Sequence, residues 1–409
     1  MENVKHLKCI KCNATYPAKP DTYTCSQCGG ILDVRYDYEY ISQKVNKETF
    51  NARKEFSMWR YREFLPIEEE SPVSPLRVGW SPLYKAERLG KTLGLSSLYV
   101  KDDGLNPTAS LKDRASAVAV VKAKEAGADT VACSSTGNAA SSLAGNAASM
   151  GLKACIFVPG RAPEGKVAQL LIFGARVVSV QGSYEDTFKL SAEAIERWGW
   201  YNRNAAINPY LVEGKKTVSL EIAEQLNWQA PDWVVVSVGD GCTIAGVWKG
   251  FKDLYQAGLI DRLPRLLSVQ AAGCCPINRA VMEDKPWEPM PEDTLADSIA
   301  VGVPRNPDKA INAIKESNGL PINVSDQEIL DAMKFLGNSS GIFGEPAGVA
   351  GLAGLKKAVS EGKISHTETV VNIVTGNGLK DVANAVKAAG EPLRVAPSME
   401  ELLQAFKTV

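Results

Sequence analysis

Beyond about residue 76 the chain alternates short apolar runs with longer stretches whose apolar residues recur at helical spacing. Residues 97–100, 130–133, 154–158 and 177–181 are too short and too continuously apolar for helices and are predicted as buried strands. Residues 112–126, 139–150 and 164–173 are predicted as the helices between them. Repeated alternation of this kind means a doubly wound α/β sheet with helices on both faces, and ligands bind such sheets at the carboxyl ends of the strands. Ahead of this region, residues 1–33 are rich in cysteine. Residues 34–75 form a charged helical and extended connector ending in the proline-rich run Ser71-Pro72-Val73-Ser74-Pro75.

Polar residues gather where the predicted strands end. The strand at 130–133 runs into Ser134-Ser135-Thr136-Gly137-Asn138-Ala139-Ala140-Ser141, which opens an alanine-rich helix; amides and hydroxyls at a positive helix end suit a carboxylate. The apolar run from Trp233 ends in Gly239-Asp240-Gly241-Cys242-Thr243 before another helix, and a glycine-rich turn there exposes backbone N–H groups that suit a phosphate. The segment from Val370 repeats the pattern with Thr375-Gly376-Asn377-Gly378-Leu379-Lys380-Asp381. A fourth run, Asn106-Pro107-Thr108-Ala109-Ser110-Leu111-Lys112-Asp113-Arg114, holds a lysine behind a proline turn and small residues. That setting can keep an amine still and partly desolvated, as a Schiff-base lysine requires. Three strand ends and one lysine are therefore expected to converge on one ligand.

Composition narrows the chemistry. The 409 residues are 45% hydrophobic and 23% charged, ordinary for a soluble protein with a sizeable core. A formal net charge of -1 gives no bulk attraction to nucleic acid or to an anionic membrane, and no basic patch stands out. No signal-like start and no apolar run near 18 residues is present, so the expectation is a cytoplasmic protein with neither membrane nor nucleic-acid partner. Only His6 and His366 occur, and His366 sits in a polar stretch that positions nothing, which disfavours hydrolytic triads and histidine-built metal centres.

Nine cysteines divide into two groups. Cys9, Cys12, Cys25 and Cys28 have zinc-ribbon spacing, two Cys-x-x-Cys pairs, and are expected to hold a closed structural zinc site, with disulfides as the alternative. Aromatic interleaving among the ribbon's lysines is limited to Tyr16 and Tyr23, and acids follow at Asp33, Asp37 and Glu39, so it reads as a structural accessory. Cys133, Cys155, Cys242, Cys274 and Cys275 are expected in the core, with Cys242 contributing its amide to the glycine loop.

Taken in order, Asn-Pro-Thr-x-Ser-x-Lys-Asp-Arg, Ser-Thr-Gly-Asn, Gly-x-Gly-x-Thr and Thr-Gly-x-Gly-Leu-Lys-Asp resemble the fold-type II pyridoxal-phosphate enzymes, and among them the threonine synthases, from about Ser81 to Asp381. The resemblance implies two doubly wound α/β domains behind the small N-terminal zinc ribbon. A core over 76–409 would carry a smaller subdomain, about 115–205, inserted in the larger one. It implies pyridoxal phosphate bound covalently by Lys112, Asn138 at its phenolic oxygen, the 239–243 loop (Gly239, Asp240, Gly241, Cys242, Thr243) at its phosphate and Thr375 at its pyridine nitrogen. Ser110, Ser135 and Thr136 would be substrate contacts, and a homodimer is usual among similar enzymes. The reaction implied is the conversion of O-phosphohomoserine and water to threonine and phosphate.

One stretch departs from that pattern. The family usually holds the substrate phosphate from a segment resembling Asn-Ser-x-Asn-Pro-x-Arg-x-Glu-Gly-x-Lys-Thr, whereas this chain has Ala205, Ala206 and Leu211 where an amide, a hydroxyl and a guanidinium are expected. Ala139 stands where a threonine is common. Loss of a charge-assisted contact to a dianion removes about 1.5 to 3 kcal/mol or more. An alternative is therefore β-elimination or β-replacement on threonine, serine or O-phosphoserine, and a remoter one is a non-catalytic amino-acid or nucleic-acid binding protein. Lys215, Lys216, Lys166, Arg161 and Arg203 are the nearby cations, each expected on a helix surface.

Overall fold

A computed structural model describes residues 1–160 and 164–407. Three antiparallel strands open the chain in the order β2-β1-β3: β1 (Val4–Cys9), β2 (Thr15–Tyr16) and β3 (Leu32–Tyr36). The third strand thus continues beyond the expected ribbon limit at residue 33. The connector that follows is well packed, because Phe50, Tyr61 and Phe64 are fully buried and join Trp228 in one aromatic cluster.

Next come β4 (Leu83–Lys85) and β5 (Ser97–Asp102), which pair antiparallel. The chain then builds a separate four-stranded parallel sheet from β6 (Thr130–Ser134), β7 (Lys153–Pro159), β8 (Arg176–Val180) and β9 (Tyr201–Asn202), ordered β8-β7-β6-β9. It returns to the first sheet with β10 (Trp233–Ser237), β11 (Arg265–Ala271), β12 (Leu320–Val324) and β13 (Thr369–Val374), giving the order β12-β11-β10-β13-β5-β4. The strands predicted from the apolar runs all form, each within a residue or two of its expected ends.

The central strands of both sheets are covered on both faces, and β6 and β10 are buried at every position. In the larger sheet the strand order reverses between β10 and β13, and in the smaller one between β6 and β9. Parallel α/β sheets leave a crevice at the carboxyl ends of such pairs. The loops leaving β10, β13, β6 and β9 therefore all open toward one region, and the lysine loop leaves β5 beside them. No helix among the described residues is long and apolar enough to cross a membrane.

Candidate active site

The lysine run turns out to be mostly scaffold. Asn106 accepts a hydrogen bond from the Gly79 N–H at 2.8 Å and donates to the Asp103 carbonyl. Asp113 accepts from the Thr108 amide and hydroxyl and from Asn146 Nδ2 at 2.7 to 2.8 Å. Arg114 is clamped between Asp103 and Glu221, and Lys101 reaches Glu221 from the other side. Ala109 is held at φ 66, a left-handed conformation uncommon for a residue with a Cβ. Two hydrogen bonds hold the loop against the end of β13: the Asn377 N–H donates to the Ala109 carbonyl at 3.0 Å and the Leu111 N–H to the Thr375 carbonyl at 2.9 Å. Ser110 pairs with Gly376 in an isolated bridge and is fully buried.

Of this run, Lys112 is the side chain that lines a cavity of about 650 Å³ that is open to solvent. Burial, assisted by the nearby Lys215 and Arg203, pushes its amine down to about 8. Thr375, from the end of β13, lines the same cavity, as do Ala139, Ser237 and residues 238 to 244. The helix Cys242–Gln256 begins there without a side-chain cap, so its first N–H groups face the cavity unsatisfied by protein side chains. Gly241 has φ 85, and a Cβ on it would lie 2.6 Å from the Asn306 carbonyl, which leaves glycine as the residue that fits. Asp240 is turned away from this row, accepting from the Arg305 N–H at 3.0 Å. Cys242 is buried and its thiol is pushed up, consistent with a contribution from its amide rather than its sulfur.

Asn138 is buried and donates to Glu345 Oε1 at 2.7 Å. Glu345 borders both this cavity and an adjoining one of about 410 Å³ lined by Thr136, Asn138, Ser141, Lys380 and Asp381. Neither lining includes Ser110 or Ser135. The Ser135 hydroxyl instead accepts from the Gly137 N–H at 3.3 Å within its own turn. Glu345 was missed in the sequence because it lies outside the strand-end motifs, immediately before the proline that starts the helix Pro346–Ser360.

The substrate stretch brings a correction. Arg203 and Lys215 are not helix-surface residues: their exposures are 2% and 4%, and both line the cavity beside Lys112. Lys216 is also fully buried, between Glu213 and Asp253. Burial overrides the surface expectation because β9 is only two residues long and releases Arg203 straight into the crevice. The helix Tyr210–Lys215 is sunk between other helices. Ala205 lines the cavity without polar atoms, while Leu211 lies in the apolar cluster with Val131, Cys133 and Tyr201. Arg161 and the side chain of Lys166 lie outside the described residues.

In the ribbon, the sulfurs of Cys9, Cys12, Cys25 and Cys28 all lie within 4.8 Å of one another, with Cys9–Cys28 and Cys12–Cys25 each at 3.5 Å. Zinc–thiolate bonds of about 2.3 Å in a tetrahedron place sulfurs about 3.8 Å apart, so the cluster fits a metal, and no cysteine is in a disulfide. The ribbon also touches the site. Ile31 packs, as Ala205 does, against the buried cluster of Ala206, Val212 and Cys242, and Asp33 pairs with Lys249 and Lys309.

Residues 75–376 match the family described as pyridoxal-phosphate dependent enzyme. The chain belongs to that family. Relatives extend the match along the whole chain. The threonine synthase of Methanocaldococcus jannaschii is 42% identical over 98% of this chain and 99% of its own length. That of Methanosarcina acetivorans is 43% identical over 98% of each. Among solved structures, the diaminopropionate ammonia lyase of Escherichia coli superposes with a TM-score of 0.66 over 85% of this chain and 96% of that one at 20% identity. The processed threonine deaminase isoform 2 of Solanum lycopersicum gives 0.64 over 76% and 88% at 23%. At such identities the structures establish the fold-type II architecture alone. With the full-length relatives, the chain is a threonine synthase-type lyase that uses pyridoxal phosphate.

Proposed function

We propose that the chain converts O-phosphohomoserine and water to threonine and phosphate. The observation that carries this is the single cavity in which a depressed lysine, an uncapped helix end and a buried threonine hydroxyl meet. That donor set fits pyridoxal phosphate: Lys112 would hold its aldehyde carbon, the amides of Gly239 to Thr243 its phosphate, Asn138 its phenolic oxygen and Thr375 its ring nitrogen. When bound, the cofactor supplies an electron sink conjugated to the substrate's amino group, and a hydroxyl rather than a carboxylate at the ring nitrogen leaves that sink moderate. Such moderation suits elimination and replacement at the β and γ carbons.

Lys112 would then move protons at the α and β carbons, a task matched by an amine near 8 because it can both take and return a proton close to neutrality. Thr136, on the adjoining cavity, would bind the substrate carboxylate with the amides at the start of the helix Asn138–Ser149, while Ser135 would support that turn and Ser110 the lysine loop. Cys9, Cys12, Cys25 and Cys28 would hold a structural zinc. We further propose a cytoplasmic homodimer acting on a free amino-acid ester, with no nucleic-acid or membrane partner. The chain divides into ribbon 1–33, connector 34–75 and core 76–409, whose smaller subdomain spans about 115–205.

A second reading, β-elimination or β-replacement on threonine, serine or O-phosphoserine, is favoured by the apolar Ala205, Ala206 and Leu211. One assay separates the two. Holoenzyme should release phosphate from O-phosphohomoserine with threonine appearing in equal amount; no release, together with ketoacid from serine or threonine, would reverse the ranking.

A further inference from the structure

Seven basic side chains are buried among the described residues, and five of them meet a carboxylate, as Arg60 meets Glu224 and Lys216 meets Glu213 and Asp253. The other two, Arg203 and Lys215, have no ion pair among the described residues. Arg203 donates through Nε and one terminal nitrogen to a neutral hydroxyl, Ser116 Oγ, at 3.2 and 3.1 Å, and Lys215 has no hydrogen-bond partner there. Both line the same cavity. Burying a cation without a counter-charge is costly, and two such cations side by side repel as well. Burial lowers both, and Arg203 holds the charge of Lys215 at a further disadvantage; Asp240, an acid that acts on both, is engaged with the Arg305 N–H and forms an ion pair with neither. The arrangement is one that an arriving anion would relieve.

The position of the pair says which part of a ligand it would meet. Arg203 leaves β9 and Lys215 ends the helix Tyr210–Lys215, so they flank the stretch in which Ala205, Ala206 and Leu211 lack polar groups. They line the same cavity as Lys112 and the glycine loop. That loop offers neutral N–H donors of its own at the start of the helix Cys242–Gln256.

We propose that Arg203 and Lys215 form the subsite for the substrate's phosphate monoester, taking the place of the amide, hydroxyl and guanidinium missing at 205, 206 and 211. Two cations entering from either side of the emptied stretch would grip the leaving dianion and release it as inorganic phosphate. The assignment rests on the proposed function for the identity of the substrate, and on the geometry for the chemistry of its anion. The same phosphate chemistry could also come from the cofactor, so the test must tell the two sources apart.

The test uses holoenzyme, with the cofactor's own phosphate already in place, and inorganic phosphate followed by isothermal titration. Wild-type protein should bind phosphate in competition with O-phosphohomoserine. Arg203→Met and Lys215→Met should each weaken that binding at least tenfold and raise KM for O-phosphohomoserine by a similar factor. Affinity for pyridoxal phosphate, read from visible absorbance, should change less than threefold. Arg203→Lys and Lys215→Arg should keep phosphate affinity within a few-fold, which separates a charge effect from misfolding. If the methionine variants lose cofactor affinity while phosphate binding to holoenzyme is unchanged, the cations serve the cofactor and the proposal falls. Unchanged phosphate binding and unchanged cofactor affinity overturn it as well. If O-phosphohomoserine is not turned over yet phosphate binding still depends on both cations, the subsite stands and the proposed reaction fails. Turnover with phosphate binding indifferent to both variants gives the opposite result.

Discussion

Arg114 and Arg203 are two buried arginines with opposite surroundings. Arg114, at 0% exposure, sits between Asp103 and Glu221, which hold its guanidinium well above its ordinary range. Arg203, at 2%, meets one hydroxyl, and burial pulls it below that range. The first is a closed account inside the protein: Lys101, Glu221, Arg114 and Asp103 neutralise one another and fix the lysine loop. The second is left open toward a cavity. A buried charge with its partner supplied marks architecture, and one without marks the place where a ligand of opposite charge completes the structure.

The contrast can be broken most forcefully at Arg114. Arg114→Met should lower unfolding free energy by about 3 to 5 kcal/mol, because Asp103 and Glu221 are left buried without their cation. Urea denaturation would measure it, and a loss under about 1 kcal/mol would mean that the clamp is ornamental. Arg203→Met in the same assay, without added anions, should leave stability unchanged or raise it by about 1 kcal/mol, since it removes an uncompensated charge. A drop matching that of Arg114→Met would erase the distinction.

The smallest effect concerns pH. Lys112 must be neutral to attack an aldehyde, and its folded value lies near 8, below the usual lysine range. Uptake of pyridoxal phosphate by cofactor-free protein should therefore slow about tenfold per pH unit below 8 and level off above it. Because Lys215 contributes to that depression, Lys215→Met should move the edge upward by less than a full unit. An unmoved edge would show that Lys215 has no part in setting it.

Much of this site was legible because long signals carry it. The runs forming β6, β10 and β13 are mostly apolar and buried almost throughout, and a strand that ends in glycine, serine or threonine can do little else in a parallel sheet. Lys112 followed from the same logic. The roles of its neighbours did not, since nothing in Asn-Pro-Thr-x-Ser-x-Lys-Asp-Arg distinguishes side chains that face a ligand from those that support the turn. Arg203 was hidden by the brevity of β9, which offers no periodicity to read. Lys215 and Lys216 are adjacent in sequence, but successive helical positions point about 100° apart, so one enters the cavity and the other the Glu213–Asp253 pair. Glu345 depends on contacts between distant segments, which no local pattern encodes.

The ribbon's Ile31 packs against the cluster of Ala206, Val212 and Cys242, the last of which lines the cavity, while Asp33 is pinned by Lys249 and Lys309. The small N-terminal module thus backs a wall of the reaction chamber without facing it. A chain shortened to the boundary of the family match would keep every residue proposed to touch the cofactor and still lose the support behind one side of the room in which the substrate has to fit.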